Sequence, residues 1–487
     1  MRLRLLSDGP PDIIIYIQQF LHPLDILALR LTCKSLSKAT RARSVWMNAV
    51  HNVCITHGAF LPSFPLEEMS LDDLEHTALS PRRFQAVIQK YDGHPTEPLL
   101  TRKFVPRLQP RQSGGAAMKT AIDQMALIPG GRFLLTSTYS GNLYLWDLGF
   151  NAGSHMKSLP IAMLETNEGS QGGFDMDNFW FNCGPMANSG GIYVVAESNF
   201  IARDNVKAVC YEIFPKSEFP NFHRIGAAAI PGPITSAYTR LSFDYYACCR
   251  GSFFTVWNFT ADLGVSWNQH GDAACTAVYT AGDNIITFHA ERYLLWRLPD
   301  LQTLDGDLLP CIIDHSPTMS FSYPSDVGVI YNGVVLPSVW LPQASQKHFL
   351  TYQRDIMMHF IVKSIDTVHD ASLPEILPVR VGSVQGGPIP SLVRDLMVTD
   401  NGLFQTWESD DSTKITANVI SMLTPQNPTY SSLSSVLWSR ERSLGSLVDF
   451  VVCTMTGRVV IQLRQKIDDN HYTEIQVMDF LLPKPFQ

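Results

Sequence analysis

The sequence predicts a small all-α bundle at the N-terminus followed by an all-β propeller of about seven blades. Two observations predict it. Between residues 10 and 46, apolar side chains recur at helical spacing and prolines break the run into short pieces. From about residue 119 onwards, a turn residue recurs five positions before a tryptophan or glutamine that ends a strand-like run. The expected division is residues 1–50 for the bundle, 51–118 for a helical connector and linker, and 119–487 for the propeller.

Three helices are expected in the opening stretch. Pro11 suits the first helical position, where its missing amide hydrogen would be unpaired anyway, and Asp12 complements the helix dipole. Ile13, Ile14, Ile17 and Leu21 come next at helical spacing and are expected on one face. His22–Pro23 ends this helix and opens the next, because the residue before proline is pushed out of helical geometry. In the second helix Leu24, Leu27, Ala28 and Leu31 form one stripe, while Ile26 and Leu29 point elsewhere. A third short helix runs from about Cys33 towards Thr40, and Trp46 anchors the segment after it. The second helix is therefore apolar nearly all round and must be covered on every side. Some 40 residues bury too little of their own surface to do this alone, so a partner or the rest of the chain has to complete it.

The order P-x-D-I-I-x-x-I-x-x-F-L-x-P-L-D-I-L-x-L-R-L-T-C-K-S-L from Pro10, with Trp46 ten residues later, resembles the F-box. The family pattern usually begins Leu-Pro, and here Gly9 holds the leucine position. The resemblance implies that the spare face docks on the Skp-type adaptor of a cullin–RING (SCF) ubiquitin ligase. The positions it implicates are Pro10, Ile13, Ile14, Ile17, Leu21, Pro23, Leu24, Leu27, Leu31, Cys33, Lys34 and Trp46. Arg30, Lys34, Lys38 and Arg41 share one side at helical spacing, as a solvated basic face or one turned to an acidic adaptor.

In the connector, Ser70 with Asp73 three residues on reads as a helix start, and Ser80–Pro81 reads as the start of another. Phe84, Val87 and Ile88 mark the inner side of the second. Glu67, Glu68, Asp72, Asp73 and Glu75 read as a solvated face, and "DGHPTEP" and "QPRQSGG" as a tether.

Five stretches share the turn-to-aromatic spacing: Gly141 to Trp146, Ser252 to Trp257, Glu291 to Trp296, Gly402 to Trp407 and Gly457 to Gln462. Each reads as strand, tight turn, strand, with the closing aromatic packed between sheets. Two weaker hairpins fill the gaps, one ending near Tyr211 and one turning at Asp355 with Phe360 near the close. The pattern resembles a WD-repeat-like propeller, a family in which repeats run to roughly 40–45 residues; the pitch here is about 53. Only Trp146–Asp147 gives the family's Trp-Asp pair, so its Asp–His–Ser/Thr–Trp hydrogen-bond network is not expected to map. The last run, "TEIQVMDFLL", is expected to supply the outer strand of the first blade and close the ring. A pair of β-sandwiches is the rival fold.

Composition narrows the function classes. A formal charge of −8 argues against a general nucleic-acid binder. The longest apolar runs are near ten residues, where a membrane span needs about 20. Nine scattered cysteines without a CxxC pair suit free thiols in the cytoplasm or nucleus. His51, Cys54 and His57 are three possible ligands without a fourth, so no metal site is expected. No nucleophile elbow, phosphate loop, zinc-protease or dinucleotide motif occurs, and no cofactor is expected. Asp400, Gly402, Thr406 and Trp407 approach an Asp-box with the wrong spacing, and Asn258 matches a glycosylation acceptor in an expected strand end. On the F-box resemblance, the chain is expected to be the non-enzymatic substrate-recognition subunit, linked through the adaptor to a cullin. The propeller would hold an unidentified target protein and act by proximity. A scaffold that binds the adaptor without the cullin is the alternative, and a propeller enzyme is a third class. The resemblance to WD-type receptors that read phosphorylated motifs with arginines on one propeller face makes Arg240, Arg250 and Arg292 candidates, with no face assigned to them by the sequence.

Overall fold

The computed structural model describes residues 10–106, 121–165, 179–187, 190–199, 205–232, 237–242, 244–269, 275–304, 310–323, 334–341, 347–353, 356–364, 376–385, 392–399, 402–409, 413–421, 432–440, 446–467 and 470–483. Gly9, Asp355 and Asp400 lie outside them, as do Asp175, Asp177, Asp410 and Asp411, isolated carboxylates that read in the sequence as loop solvation. No helix among the described residues is long and apolar enough to cross a membrane.

Five α-helices come first: α1 (Pro11–Gln18), α2 (Pro23–Arg30), α3 (Lys34–Ala39), α4 (Arg43–Thr56) and α5 (Leu71–Lys90). The proline signals hold. Pro11 and Pro23 open α1 and α2, and the His22 ring accepts the Leu24 amide at 3.3 Å. Cys33 is extended at the N-cap of α3. Ser70 and Asp73 form the full reciprocal capping box of α5.

Ser80–Pro81 does not start a new helix. α5 continues through Pro81 for 20 residues, and the Ser80 hydroxyl bonds back to the His76 carbonyl at 2.6 Å. The cost of a mid-helix proline is offset by burial on both sides of it: Leu74 and Ala78 pack under α4, while Phe84 and Ile88 enter the core between blades 6 and 7. The acidic cluster is likewise not all solvated. Asp73 takes the Asn151 amide of blade 1 at 2.9 Å, and Glu75 pairs with Arg30 at 2.5 Å.

The rest forms seven sheets, one per blade. Blades 1 to 6 span 122–164, 179–231, 237–268, 275–322, 334–385 and 392–439, and blade 7 is 446–479 plus Leu100–Phe104. First strands of neighbouring blades lie side by side around an axis, as in the blade pairs 2–3, 3–4, 4–5, 5–6 and 7–1. The ring therefore closes differently from the expectation. Asn470–Asp479 belongs to blade 7, and the fourth strand of that blade is Leu100–Phe104, from the segment read as linker. Pairing the start of the propeller to its end removes a sheet edge and ties the ring shut. The segment before it is also wired in: the Gly93 and Thr96 amides donate to Ser434 and Val436 of blade 6 at 2.7 and 2.8 Å. The "QPRQSGG" stretch, 109–115, lies outside the described residues.

The five-residue spacing marks hairpins, but at two places in the blade. Gly141, Ser252 and Glu291 lie between second and third strands of blades 1, 3 and 4. Gly402 and Gly457 instead lead into the second strands of blades 6 and 7. Any antiparallel hairpin satisfies the spacing, so it counts blades without fixing the strand. Three of the four closing tryptophans pack between sheets, Trp146 against Val460 and Val477, Trp257 against Val195, and Trp296 against Trp267 at 5.7 Å, whereas Trp407 is half-buried. Remnants of the WD-type network also exist. Trp146 Nε1 donates to Thr136 at 3.0 Å, and Trp296 Nε1 to Thr287 at 2.9 Å, with His289 3.1 Å further on. In blade 3 the matching position is Cys248, and Trp257 Nε1 has no hydrogen-bond partner among the described residues. The last strand of blade 3 is covered by Gln302–Thr303 and Ile312–Ile313, which come from an excursion in blade 4.

Candidate functional site

The N-terminal helices hold a small core against the propeller and leave an apolar face outside. Ile14, Leu36 and Ala39 form one packed group. Ile26, Val45, Trp46 and Val50 form the larger group, which continues into Cys453 and Met455 of blade 7. Trp46 is fully buried and its Nε1 donates to the Thr40 carbonyl at 2.7 Å. Arg30 lies 5.5 Å over the Trp46 ring, donates to Thr40, and pairs with Glu75 of α5. One side chain thus joins α2, α3 and α5.

On the other side the exposed residues gather. Leu31 is 87% exposed, Phe20 73%, Ile13 53% and Leu24 42%, and Tyr16 packs edge-on against Phe20 at 5.3 Å. These five residues are more than a quarter of the 18 large exposed apolar side chains in the described residues, and all fall between Ile13 and Leu31 in the sequence, Leu24 beside a groove shared with α5. Ile17, Leu21 and Leu27 are half-buried beneath them. Covering each exposed side chain would return on the order of 1–2 kcal/mol.

The expected site residues therefore divide. Pro10, Ile13, Leu24, Leu31, Cys33 and Lys34 present surface, and Ile17, Leu21 and Leu27 present part of theirs. Ile14, Pro23 and Trp46 are buried and offer a partner nothing; they hold the bundle together. Ile13 and Ile14 do not share a face, because adjacent helical residues point about 100° apart. The stripe Leu24, Leu27, Ala28 and Leu31 does face outward, with Ile26 turned in. Tyr16 joins this face without having been expected there, yet its offsets of three from Ile13 and four to Phe20 carry the signal. Of the basic set, Lys34, Lys38 and Arg41 are exposed, while Arg30 is held by Glu75.

The helices sit over the axis at the end where first and second strands turn. Phe60 packs on Phe133 and Trp340, and its amide donates to Pro129 at 2.9 Å. Gly58 has a φ of +60°, and a Cβ there would collide with the Trp340 carbonyl. His57 is buried at the C-cap of α4 and lines an axial cavity of about 320 Å³ with Asn182, Arg240, Thr406 and Cys453. His51 is exposed and Cys54 is buried in the helical core, so the three spaced residues do not converge. Burial pulls the Arg240 pKa down to about 10, and its Nη1 donates to the Pro337 carbonyl at 2.7 Å. Arg250 is buried in an ion pair with Glu197, whose other oxygen takes the Tyr246 hydroxyl at 2.7 Å. That arginine braces blade 3 to blade 2. Asn258 accepts the Thr260 and Ala261 amides in a turn.

No protein-family model matches the chain, and no curated protein matches it. Among solved structures, it is similar to Sqt1 of Saccharomyces cerevisiae at 9% identity and a TM-score of 0.41, over 77% of this chain and 86% of that one. It is also similar to the β-propeller domain of Cps50 (Swd1) of Myceliophteria thermophila at 12% identity and a TM-score of 0.42, over 78% and 100%. The seven-bladed assignment rests on the sheets of the chain itself.

Proposed function

We propose that the chain is a non-enzymatic adaptor protein of the SCF type. Its N-terminal helices dock on a Skp-type adaptor, that adaptor links it to a cullin, and its propeller binds the target. The observation that carries this reading is the exposure of Ile13, Phe20, Leu24 and Leu31 on helices whose other sides pack against α3, α4 and α5. A helix pair anchored on one side and bare on the other is built for a second polypeptide. The exposed cations Lys34, Lys38 and Arg41 nearby suit an acidic partner surface. The F-box-like order of residues names the class of partner.

α5 and residues 92–104 are built into blades 6 and 7, which ties the helices to the propeller. A target on the propeller would be held at a fixed distance from the adaptor, which raises the local concentration of its lysines. Co-purification of the tagged full chain tests the reading. Recovery of both adaptor and cullin, lost on Leu31→Asp, supports it. Recovery of adaptor without cullin would replace it by the scaffold reading, and recovery of neither would remove it.

A further inference from the structure

The axial cavity of about 320 Å³ has a polar wall drawn from several blades. Asn182 comes from the first strand of blade 2, Thr239 and Arg240 from the first strand of blade 3, and Thr406 from the second strand of blade 6. Among the described residues that line the cavity, Arg240 is the one Lys or Arg, and there is no Asp or Glu. Burial brings the Arg240 pKa down to about 10, which still leaves the guanidinium protonated at neutral pH. Its bond to the Pro337 carbonyl fixes the side chain at the wall. The side chains of Asn182, Thr239 and Thr406 make no hydrogen bond to another described residue, so their donors stay available to a ligand. Asn182 and Thr239 are half-buried rather than sealed, so solvent reaches the cavity.

We propose that the axial cavity binds a small oxyanion, a phosphate or a carboxylate, held by Arg240 with Asn182, Thr239 and Thr406 as hydrogen-bond donors. A guanidinium in a partly desolvated site is matched best by an oxyanion, because both charges are then paired through directed hydrogen bonds. The volume lies at the lower end of ligand pockets, about 300–1,000 Å³, which suits a small molecule better than a segment of a target protein. The same end of the axis is covered by the helical connector, where Phe60 packs on Trp340 and His57 lines the cavity. A ligand there binds the folded chain alone and stabilises it by mass action. The site lies apart from the bare face of α1 and α2 and does not rest on the adaptor reading.

The test dialyses the full chain into chloride buffer and titrates it with sodium phosphate, and separately with sodium succinate, at constant ionic strength. Calorimetry and Tm are the readouts. The expected result is saturable binding near one equivalent with a Tm that rises and levels off; the tighter of the two arms identifies the class of anion. Binding should weaken at least about tenfold in Arg240→Met, a loss of about 1.4 kcal/mol or more, and severalfold in Thr406→Val. The wild type and Thr406→Val decide the matter even if Arg240→Met fails to fold. The proposal is overturned if neither anion binds, which leaves a channel filled by water, or if Tm climbs linearly without saturating, as a general salt effect does. It is equally overturned if Thr406→Val and a folded Arg240→Met bind as the wild type does.

Discussion

Arg458 and Asp479 face each other inside blade 7, with Arg458 Nε donating to Asp479 Oδ1 at 2.6 Å. The other carboxylate oxygen takes Arg102 Nη2 at 3.0 Å, from the N-terminal strand that completes the blade. Each arginine also reaches across to blade 1: Arg458 to the Gly131 and Gly149 carbonyls, Arg102 to those of Leu148 and Ser154. One buried carboxylate thus balances two guanidiniums at the seam where the ring closes.

Removing that carboxylate leaves two buried cations facing each other. Asp479→Ala is expected to cost about 3–5 kcal/mol, the usual penalty for breaking a buried pair from one side. Urea unfolding measures it. A loss below about 1 kcal/mol would mean that water replaces the carboxylate and the seam is held by packing alone.

Closure also predicts where the chain can be cut. A chain beginning at Ser70 keeps α5 and Leu100–Phe104, and is expected to fold as a propeller. A chain beginning at residue 119 loses the fourth strand of blade 7 and the Phe84 and Ile88 side chains from its core, and is expected to aggregate. Size-exclusion chromatography and circular dichroism distinguish the two. A monomeric, folded product of the shorter chain contradicts this wiring.

Phe84 packs 5.5 Å from Phe404 and 6.0 Å from Phe480. Phe84→Ala empties that site and should destabilise by about 3–5 kcal/mol. The loss should appear in a single unfolding transition, because helix and blades share one core. Separate transitions for helices and propeller would show that they are independent.

Two histidines, His359 buried and His76 half-buried, set an acid limit. Burial, and then the neighbouring His348, push the His359 pKa down to about 4; burial, and then Arg83, do the same to His76. The unfolded chain takes up these protons first, near pH 6.5, so stability is full above that value and falls as pH drops towards 4. For a shift of this size the loss is on the order of 3 kcal/mol per residue. Denaturant midpoints at about pH 7.5 and about pH 5 test this, and His359→Gln should narrow the difference. An equal difference in wild type and variant would assign the acid sensitivity elsewhere.

Much of this architecture was legible because local chemistry announced it. Pro11, His22–Pro23 and the Ser70–Asp73 box each satisfy or remove particular end-of-helix amides, and each sits where expected. Blade number came from hairpins that any antiparallel sheet must make. The illegible parts depend on partners distant in sequence. Pro81 is tolerated because Phe84 and Ile88 are buried by blades 6 and 7, more than 300 residues away. Leu100–Phe104 is a strand only because Asn470–Asp479 offers it an edge, and its own burial pattern is mostly exposed. The exposed face of α1 and α2 was half legible: the stripe from Leu24 to Leu31 could be counted off the helix, whereas the split between Ile13 and Ile14 depends on where α3 and α4 sit.

The central claim is that the bare face of α1 and α2 receives a Skp-type adaptor. The most direct measurement is calorimetric titration of the full chain with purified adaptor, alongside Leu31→Asp and Leu24→Asp. Saturable binding by the wild type, weakened at least about tenfold in both variants with unchanged Tm, is the predicted result, a loss of about 1.4 kcal/mol or more. Absence of binding by the folded wild type, or binding that both aspartates leave intact, would contradict it.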